Sequence, residues 1–323
     1  MERTLVQAIN TALREEMERD EGVVLLGEDI GRNGGVFRAT EGLYDEFGPT
    51  RVIDTPLNES GVIGVSIGLA LYGMRPVAEI EFLDFIYPAF DQIISELSKI
   101  RYRSGGEYSA PVVVRAPYGG GIKGGPYHSQ SSEAFFAHVP GLKVVVPSNP
   151  ADAKGLLKSA LREKDPVIFL EPKKLYRSVR GDVPEEEYTV PIGKAKTIRE
   201  GNDISLLTYG SLVPTALEAA SKAGEEGVSV EVVDLRTLSP LDLESILGSV
   251  KKTGRAVIVH EAPKTMGFGA EVSAFLAEEA LDYLKAPIAR VGGFNTPFPY
   301  VHEDVYLPSV PRILKAIRKT IRY

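Results

Sequence analysis

The 323 residues contain no cysteine. Disulfides, thiolate metal sites, iron–sulfur clusters and a cysteine nucleophile are therefore all excluded. Long apolar runs are also missing. The longest, Gly61 to Gly73, falls short of the roughly 20 residues that a bilayer span needs. The opening Met1-Glu2-Arg3-Thr4 leads into an amphipathic pattern, without the apolar core of a signal peptide or the Arg/Ser-rich character of a transit peptide, so a cytoplasmic protein is the expectation. Positive charge is not in excess. The formal net charge is −7, which argues against a nucleic-acid partner. No histidine pair at i, i+4 and no carboxylate cluster suggests a zinc or two-metal site. A G-x-S-x-G nucleophile elbow and a Gly-Lys-Ser/Thr phosphate loop are absent as well. What remains is ordinary globular material, 43% hydrophobic and 25% charged, and enough of it for two domains.

One stretch organises the rest: Asp54-Thr-Pro-Leu-Asn-Glu-Ser-Gly-Val-Ile-Gly-Val-Ser-Ile-Gly-Leu-Ala70. Pro56 fixes a turn and biases Thr55 away from helix. A helix of small residues follows, with Gly61, Gly64 and Gly68 on nearly one face. Each glycine costs such a helix about 1 kcal/mol against alanine. Three at this spacing imply that something approaches the backbone closely. Glu59 stands in the first turn, where the helix dipole favours a carboxylate. It is either a plain helix-start acid or a group aimed at whatever the glycines admit.

Hydrophobic periodicity predicts an alternation of strands and helices. Thr4–Asp20 reads as an amphipathic helix, Val23–Leu26 and Arg51–Asp54 as strands, and Pro76–Phe82 as a third. A helix is expected from Pro88, then strands over Pro111–Arg115, Lys143–Val146 and Pro166–Leu170, with a helix over Pro150–Arg162. After a polar, Pro-led segment the alternation restarts, with a helix expected to open at Ser239-Pro240. The expected architecture is a doubly wound parallel α/β domain over 1–190, a linker over 191–202 and a smaller α/β domain over 203–323.

The second landmark runs from Tyr118 to Ser131, Tyr-Gly-Gly-Gly-Ile-Lys-Gly-Gly-Pro-Tyr-His-Ser-Gln-Ser. Gly119, Gly121 and Gly124 match the dinucleotide pattern G-x-G-x-x-G in form only. That fingerprint must open a helix directly, whereas Gly125-Pro126-Tyr127 continues as loop. The better reading is a loop beyond a strand's carboxyl end, where α/β sheets place ligands. It presents His128, which is structural or catalytic on equal terms. His138, His260 and His302 read as structural.

Together these residues resemble a family, the β subunit of the E1 component of 2-oxo acid dehydrogenase complexes. The resemblance covers nearly the whole chain: Gly27-Glu-Asp, Asp54-Thr-Pro-Leu-x-Glu59, Arg75-Pro-Val-Ala-Glu, Pro88-Ala-Phe-Asp-Gln, Arg101-Tyr-Arg-Ser-Gly-Gly, His128-Ser-Gln-Ser, Pro140-Gly-Leu-Lys-Val-Val, Glu171-Pro-Lys-x-Leu-Tyr-Arg and Asp234-Leu-Arg-Thr. It implies a thiamine diphosphate pyrimidine-binding domain followed by a transketolase C-terminal-like domain. Catalytic roles fall on Glu59 and His128, and cofactor contacts on Glu59, Leu57, Phe85 and Glu28. For Leu57 and Phe85 plain core packing is the other reading. It also implies a structural potassium site at Val112, Ala160, Leu161, Glu163 and Asp165. The last two stand where relatives carry Asp and Asn, and Pro88 stands where some pyruvate-type members carry a polar residue.

The Gly-Asp-Gly…Asn motif that holds the magnesium diphosphate in such enzymes is not in this chain. The resemblance therefore implies an α subunit that supplies it, in an α₂β₂ assembly serving an E2 lipoyl acyltransferase. The expected reaction is decarboxylation of a 2-oxo acid, of branched-chain type by His128-Ser-Gln-Ser-x-Glu133 and Glu171-Pro-Lys, or of pyruvate as the alternative. A non-catalytic module that kept the fold, a nicotinamide oxidoreductase and a transketolase-type fragment are the other readings.

Overall fold

A computed structural model describes all of residues 1–323 and separates them into two compact units: residues 1–118 with 135–192, and residues 119–134 with 193–323.

The first unit is built on a parallel sheet. Its strands are β2 (Val23–Gly27), β3 (Val52–Asp54), β4 (Arg75–Glu79), β5 (Val113–Tyr118), β6 (Lys143–Val145) and β7 (Val167–Pro172), in the order β6-β7-β5-β4-β2-β3. Every residue of β2, β5 and β7 is buried, which is why these strands read as continuous apolar runs. Two short strands, β1 (Glu2–Thr4) and β8 (Arg180–Asp182), pair antiparallel beside it, Arg3 opposite Gly181 and Thr4 opposite Arg180.

The helix Leu5–Arg19 starts where Thr4 and Gln7 form a reciprocal capping box, and it buries Leu5, Ala8, Ile9, Ala12, Leu13 and Met17. Its partner is the helix Pro150–Arg162, opened by the Asn149 cap and a proline at the first turn. Lys154 and Lys158 lie buried on that helix with their ammonium groups 2.7 Å from the Glu15 carboxylate.

The helix expected from Pro88 is present as a continuous helical run to Arg103, but its hydrogen bonding changes along the way. A 3₁₀ turn covers Tyr87–Ala89, Phe90 and Asp91 are α-helical, a π-helical turn covers Gln92–Glu96, a 3₁₀ turn covers Leu97–Lys99, and Ile100–Arg103 is α-helical. Ile93 and Leu97 are buried as the pattern requires, but Phe90 and Ile94 are only partly so. The widened turn shifts the inward face out of the 3.6-residue period that the sequence suggested.

In the second unit β10 (Ile204–Thr208), β11 (Val230–Asp234), β13 (Ala256–Pro263) and β14 (Ala289–Gly293) run parallel in the order β14-β13-β10-β11. The segment expected as a linker contains a further strand, β9 (Lys196–Arg199), antiparallel to β11 at the sheet's edge. The short strand β12 (Thr237–Ser239) follows β11. The next helix begins at Leu243, not at Ser239-Pro240. Asp242 caps it, accepting from the Ser245 N–H at 3.3 Å and the Ser245 hydroxyl at 2.8 Å. The last helix, Val310–Ile321, turns Ile313, Leu314 and Ile317 into the core against Ala216 and Ala220. No helix of either unit is long and apolar enough to cross a membrane.

Candidate active site

Strand register gathers the acids of the first unit. Gly27, the last residue of β2, pairs with both Asp54 of β3 and Glu79 of β4, so the carboxyl ends of three strands stand level. Glu28 follows β2 directly and Glu81 comes two residues after β4. Glu59 opens the helix Glu59–Leu71 that leads from β3. The Asn58 side chain caps that helix, accepting from the Gly61 N–H at 3.0 Å, and Glu59 is left half-buried in the first turn.

These carboxyls sense one another. Burial raises Glu28 above the ordinary carboxylate range, and the charges of Asp29 and Glu59 raise it further. Burial pushes Glu81 up to about 7, helped by Glu28, Asp29, Glu79 and Glu59. Glu81 therefore keeps its proton up to near neutral pH.

Phe85 is half-buried, edge-to-face with Phe82 at 5.4 Å between ring centroids. Leu57 is 72% exposed, so of its two readings core packing does not hold. On the glycine helix, a methyl group at Gly64 or Gly68 would meet nothing within 4 Å, whereas one at Gly61 would press on the Asn58 side chain. Val65, Leu71 and Tyr72 are exposed along the same helix and its end.

Below the edge lies a buried ion network that sequence reasoning did not single out. Arg115 of β5 donates to Glu79 of β4 at 2.5 Å and to both oxygens of Glu171 on β7 at 2.6 and 2.9 Å. Tyr176 donates its hydroxyl to Glu171 at 2.5 Å. Burial raises Glu79 despite Arg115 beside it. The available signal was charge inside apolar strands: Val-Ala-Glu-Ile-Glu, Val-Val-Val-Arg and Ile-Phe-Leu-Glu. The first of these also carries Glu81.

His128 belongs to the second unit, on the loop 119–134. That loop is tethered by backbone bonds to buried acids: the Gly120 N–H donates to Glu261 at 2.5 Å and the Lys123 N–H to Glu303 at 3.0 Å. Ser211 also donates to Glu261, and Tyr209 donates to Glu133 at 2.6 Å. His128 is half-buried and its own N–H reaches the Gly125 carbonyl at 3.5 Å. Gly124 lets the chain fold back on itself here, since a methyl group there would stand 2.6 Å from the His128 Cβ. His260, by contrast, is buried, with its Nδ1 3.1 Å from the Ala262 carbonyl, and burial depresses it to about 4.

The positions assigned to potassium are engaged by the chain's own cations and amides. The Leu161 and Glu163 carbonyls each accept from Arg75 Nη1 at 3.0 Å. The Ala160 and Val112 carbonyls accept the N–H groups of Glu163 at 3.2 Å and Val167 at 3.0 Å. The Glu163 carboxylate meets Lys143 at 2.6 Å, and that of Asp165 pairs with Arg101. Three basic side chains, Arg75, Lys143 and Arg101, thus bring positive charge to these oxygens.

Comparison with known proteins agrees with this architecture. Residues 2–179 match the transketolase pyrimidine-binding domain family and residues 193–313 the transketolase C-terminal domain family. A solved structure, the inactive β4 tetramer of a split gene transketolase, superposes with a TM-score of 0.82 at 25% identity, covering 99% of this chain and 98% of that one. The fold thus defines a transketolase-like, thiamine diphosphate-type two-domain protein. The chain is also 52% identical over 321 residues to the pyruvate dehydrogenase E1 component subunit beta of Staphylococcus epidermidis, covering 99% of both chains. It is 53% identical over 321 residues to the 2-oxoisovalerate dehydrogenase subunit beta of Bacillus subtilis, covering 98% of each. The chain belongs to the E1 β-subunit family of 2-oxo acid dehydrogenase complexes, whose members work with an α subunit.

Proposed function

We propose that this chain is the pyrimidine-binding half of a 2-oxo acid decarboxylating E1, of α₂β₂ form, that passes its acyl product to the lipoyl group of an E2. The observation that supports it is the group of acids at the carboxyl edge of a pyrimidine-binding domain, Glu28, Glu59 and Glu81, where burial raises Glu28 and pushes Glu81 up to about 7. Thiamine diphosphate, when bound, supplies the electron sink for decarboxylation, and the acids with the aromatic edge fit its aminopyrimidine.

Within the chain, Glu59 presents its carboxyl to a ring nitrogen and holds the proton there. Glu28 and Glu81 keep that proton available by raising the cost of a further negative charge. Phe85 and Leu57 supply apolar surface for the ring. His128, on its tethered loop, moves a proton at its imidazole toward the 2-oxo acid or the lipoyl group. The α subunit supplies the magnesium and diphosphate half of the site. The exposed small-residue face of the helix Glu59–Leu71 suits the close approach of that partner.

Branched-chain 2-oxo acids are the proposed substrates, on the His128-Ser-Gln-Ser-x-Glu133 and Glu171-Pro-Lys pattern. Pyruvate is the second reading, because relatives of both kinds are about equally similar. The test is reconstitution with the α subunit. Glu59→Gln is expected to lower decarboxylation at least ~10²-fold, the size of general acid–base assistance. Near-normal turnover in that variant overturns the assignment. A higher kcat/KM for pyruvate than for 3-methyl-2-oxobutanoate overturns the substrate class alone.

A further inference from the structure

Four arginines of the first unit converge on one surface cleft of about 360 Å³ that none of the acids described above lines. They are Arg3, Arg38, Arg177 and Arg180, and Asn10 and Glu41 stand among them. Sequence separates them widely; pairing of β1 with β8 sets Arg180 opposite Thr4, the residue next to Arg3. Arg38, Arg177 and Arg180 are exposed and Arg3 is half-buried, and none of the four pairs with a carboxylate. Arg38 and Arg177 donate only to the carbonyls of Asn33 and Phe37, the latter at 3.2 Å, which leaves most of each guanidinium's five donors unused.

A second observation is independent of the charge. Arg38 holds a left-handed backbone, φ 68°, which a side chain as large as arginine seldom adopts. Strain of this kind persists where the surroundings over-determine it and clusters at ligand sites. The surroundings here are Gly34 and Gly35, both at positive φ, the Arg38 N–H bonded to the Gly35 carbonyl at 3.0 Å, and Asn10, whose amide holds the Ala39 and Glu41 carbonyls at 3.0 Å each. The turn is thus locked in a form that places Arg38 in the cleft.

We propose that this cleft binds a small molecule bearing a phosphate group. Planar guanidinium forks match phosphate oxygens bidentately, and four of them against the one carboxylate of Glu41 leave a net charge of +3. The cleft volume lies within the range of small-ligand sites and is too confined for a folded domain.

The test uses the assembled α/β protein saturated with thiamine diphosphate and magnesium, so that any diphosphate site is already filled. Inorganic phosphate is the probe, titrated calorimetrically at constant ionic strength against chloride. Citrate in a parallel titration separates phosphate recognition from general oxyanion attraction. Saturable phosphate binding is expected. The pair Arg38→Gln and Arg180→Gln should weaken it at least roughly tenfold, the equivalent of one lost charge-assisted hydrogen bond. Glu41→Gln should tighten it several-fold, a gain that no folding defect produces. Binding unchanged in both variants, binding no stronger than chloride, citrate binding tighter than phosphate, or phosphate binding to the isolated chain but not to the assembly would each overturn the proposal; the last result would mean that the partner subunit covers the cleft.

Discussion

Arg115 grips Glu171 through two parallel hydrogen bonds, Nε and Nη2 to the two carboxylate oxygens, with both side chains sealed from solvent in the middle of a parallel sheet. Glu79 and Tyr176 complete the set. Two carboxylates share one guanidinium, so the group is satisfied only as a whole.

Replacing Arg115 by Met should therefore cost far more than the loss of one contact. It leaves Glu79 and Glu171 buried and unpaired, a situation that costs about 3–5 kcal/mol when one partner of a buried pair is removed. Denaturant unfolding of the purified chain should show this. A loss below about 1 kcal/mol would mean that the network relaxes or takes in water.

Stability should fall as pH rises from about 4.5 to about 7. Burial pushes Glu133 up to about 7 although Tyr209 donates to it, and Glu81 reaches a similar value. A folded-state pKa above the unfolded one means that the native state binds the extra proton, so the stabilisation relative to high pH is complete below 4.5 and gone above the folded pKa. Glu133→Gln keeps an acceptor for Tyr209 and cannot ionise. Its melting temperature should drop less between pH 5 and pH 8 than that of the parent protein. Parallel curves would show that Glu133 is already charged at pH 5.

Glu261 should control the order of the loop that carries His128. Glu261→Ala removes the acceptor of the Gly120 N–H and the Ser211 hydroxyl, which leaves buried donors unpaired at about 1–3 kcal/mol. Hydrogen exchange over 119–130 should accelerate at least roughly tenfold while the core strand β10 keeps its protection. Uniform acceleration across the second unit would indicate global destabilisation instead.

Gly64→Ala separates the two uses of the glycine helix. Nothing in this chain opposes the added methyl group, so the isolated chain should gain up to about 1 kcal/mol from helix propensity alone. The same variant should weaken association with the α subunit if that partner approaches the helix. Titration with purified α subunit reads the second effect, and unchanged affinity would place the partner elsewhere.

Much of this was legible in the chain itself. Glu59 in the first turn of its helix, the buried strands and the two α/β halves each follow from local pattern: a proline turn ahead of a helix, a continuous apolar run, a period of 3.6. The π-helical turn inside the helix after Pro88 was not, because Phe90, Ile93, Ile94 and Leu97 carry ordinary α-helical spacing. Nor was the Asp242 cap, since Ser239-Pro240 offers the same local chemistry three residues earlier. Leu57 reads as apolar anywhere, and only the structure shows it open to solvent.

Sequence alone determined which chemistry is available: no thiol, a first-turn Glu59, a glycine-rich loop with His128, and strands too apolar to lie anywhere but inside a sheet. Tertiary structure decided how charge is shared. Strand register levelled the ends of β2, β3 and β4 so that burial and the charge of Glu28 push Glu81 up to about 7, and it set Arg115 between Glu79 and Glu171, while folding brought Arg75 to the carbonyls of Leu161 and Glu163. Local pattern depends on neighbours within a few residues. The cost or gain of a charge depends on groups far away in the chain, as Lys158 and Glu15 are at 143 residues apart, which only folding brings within hydrogen-bond reach.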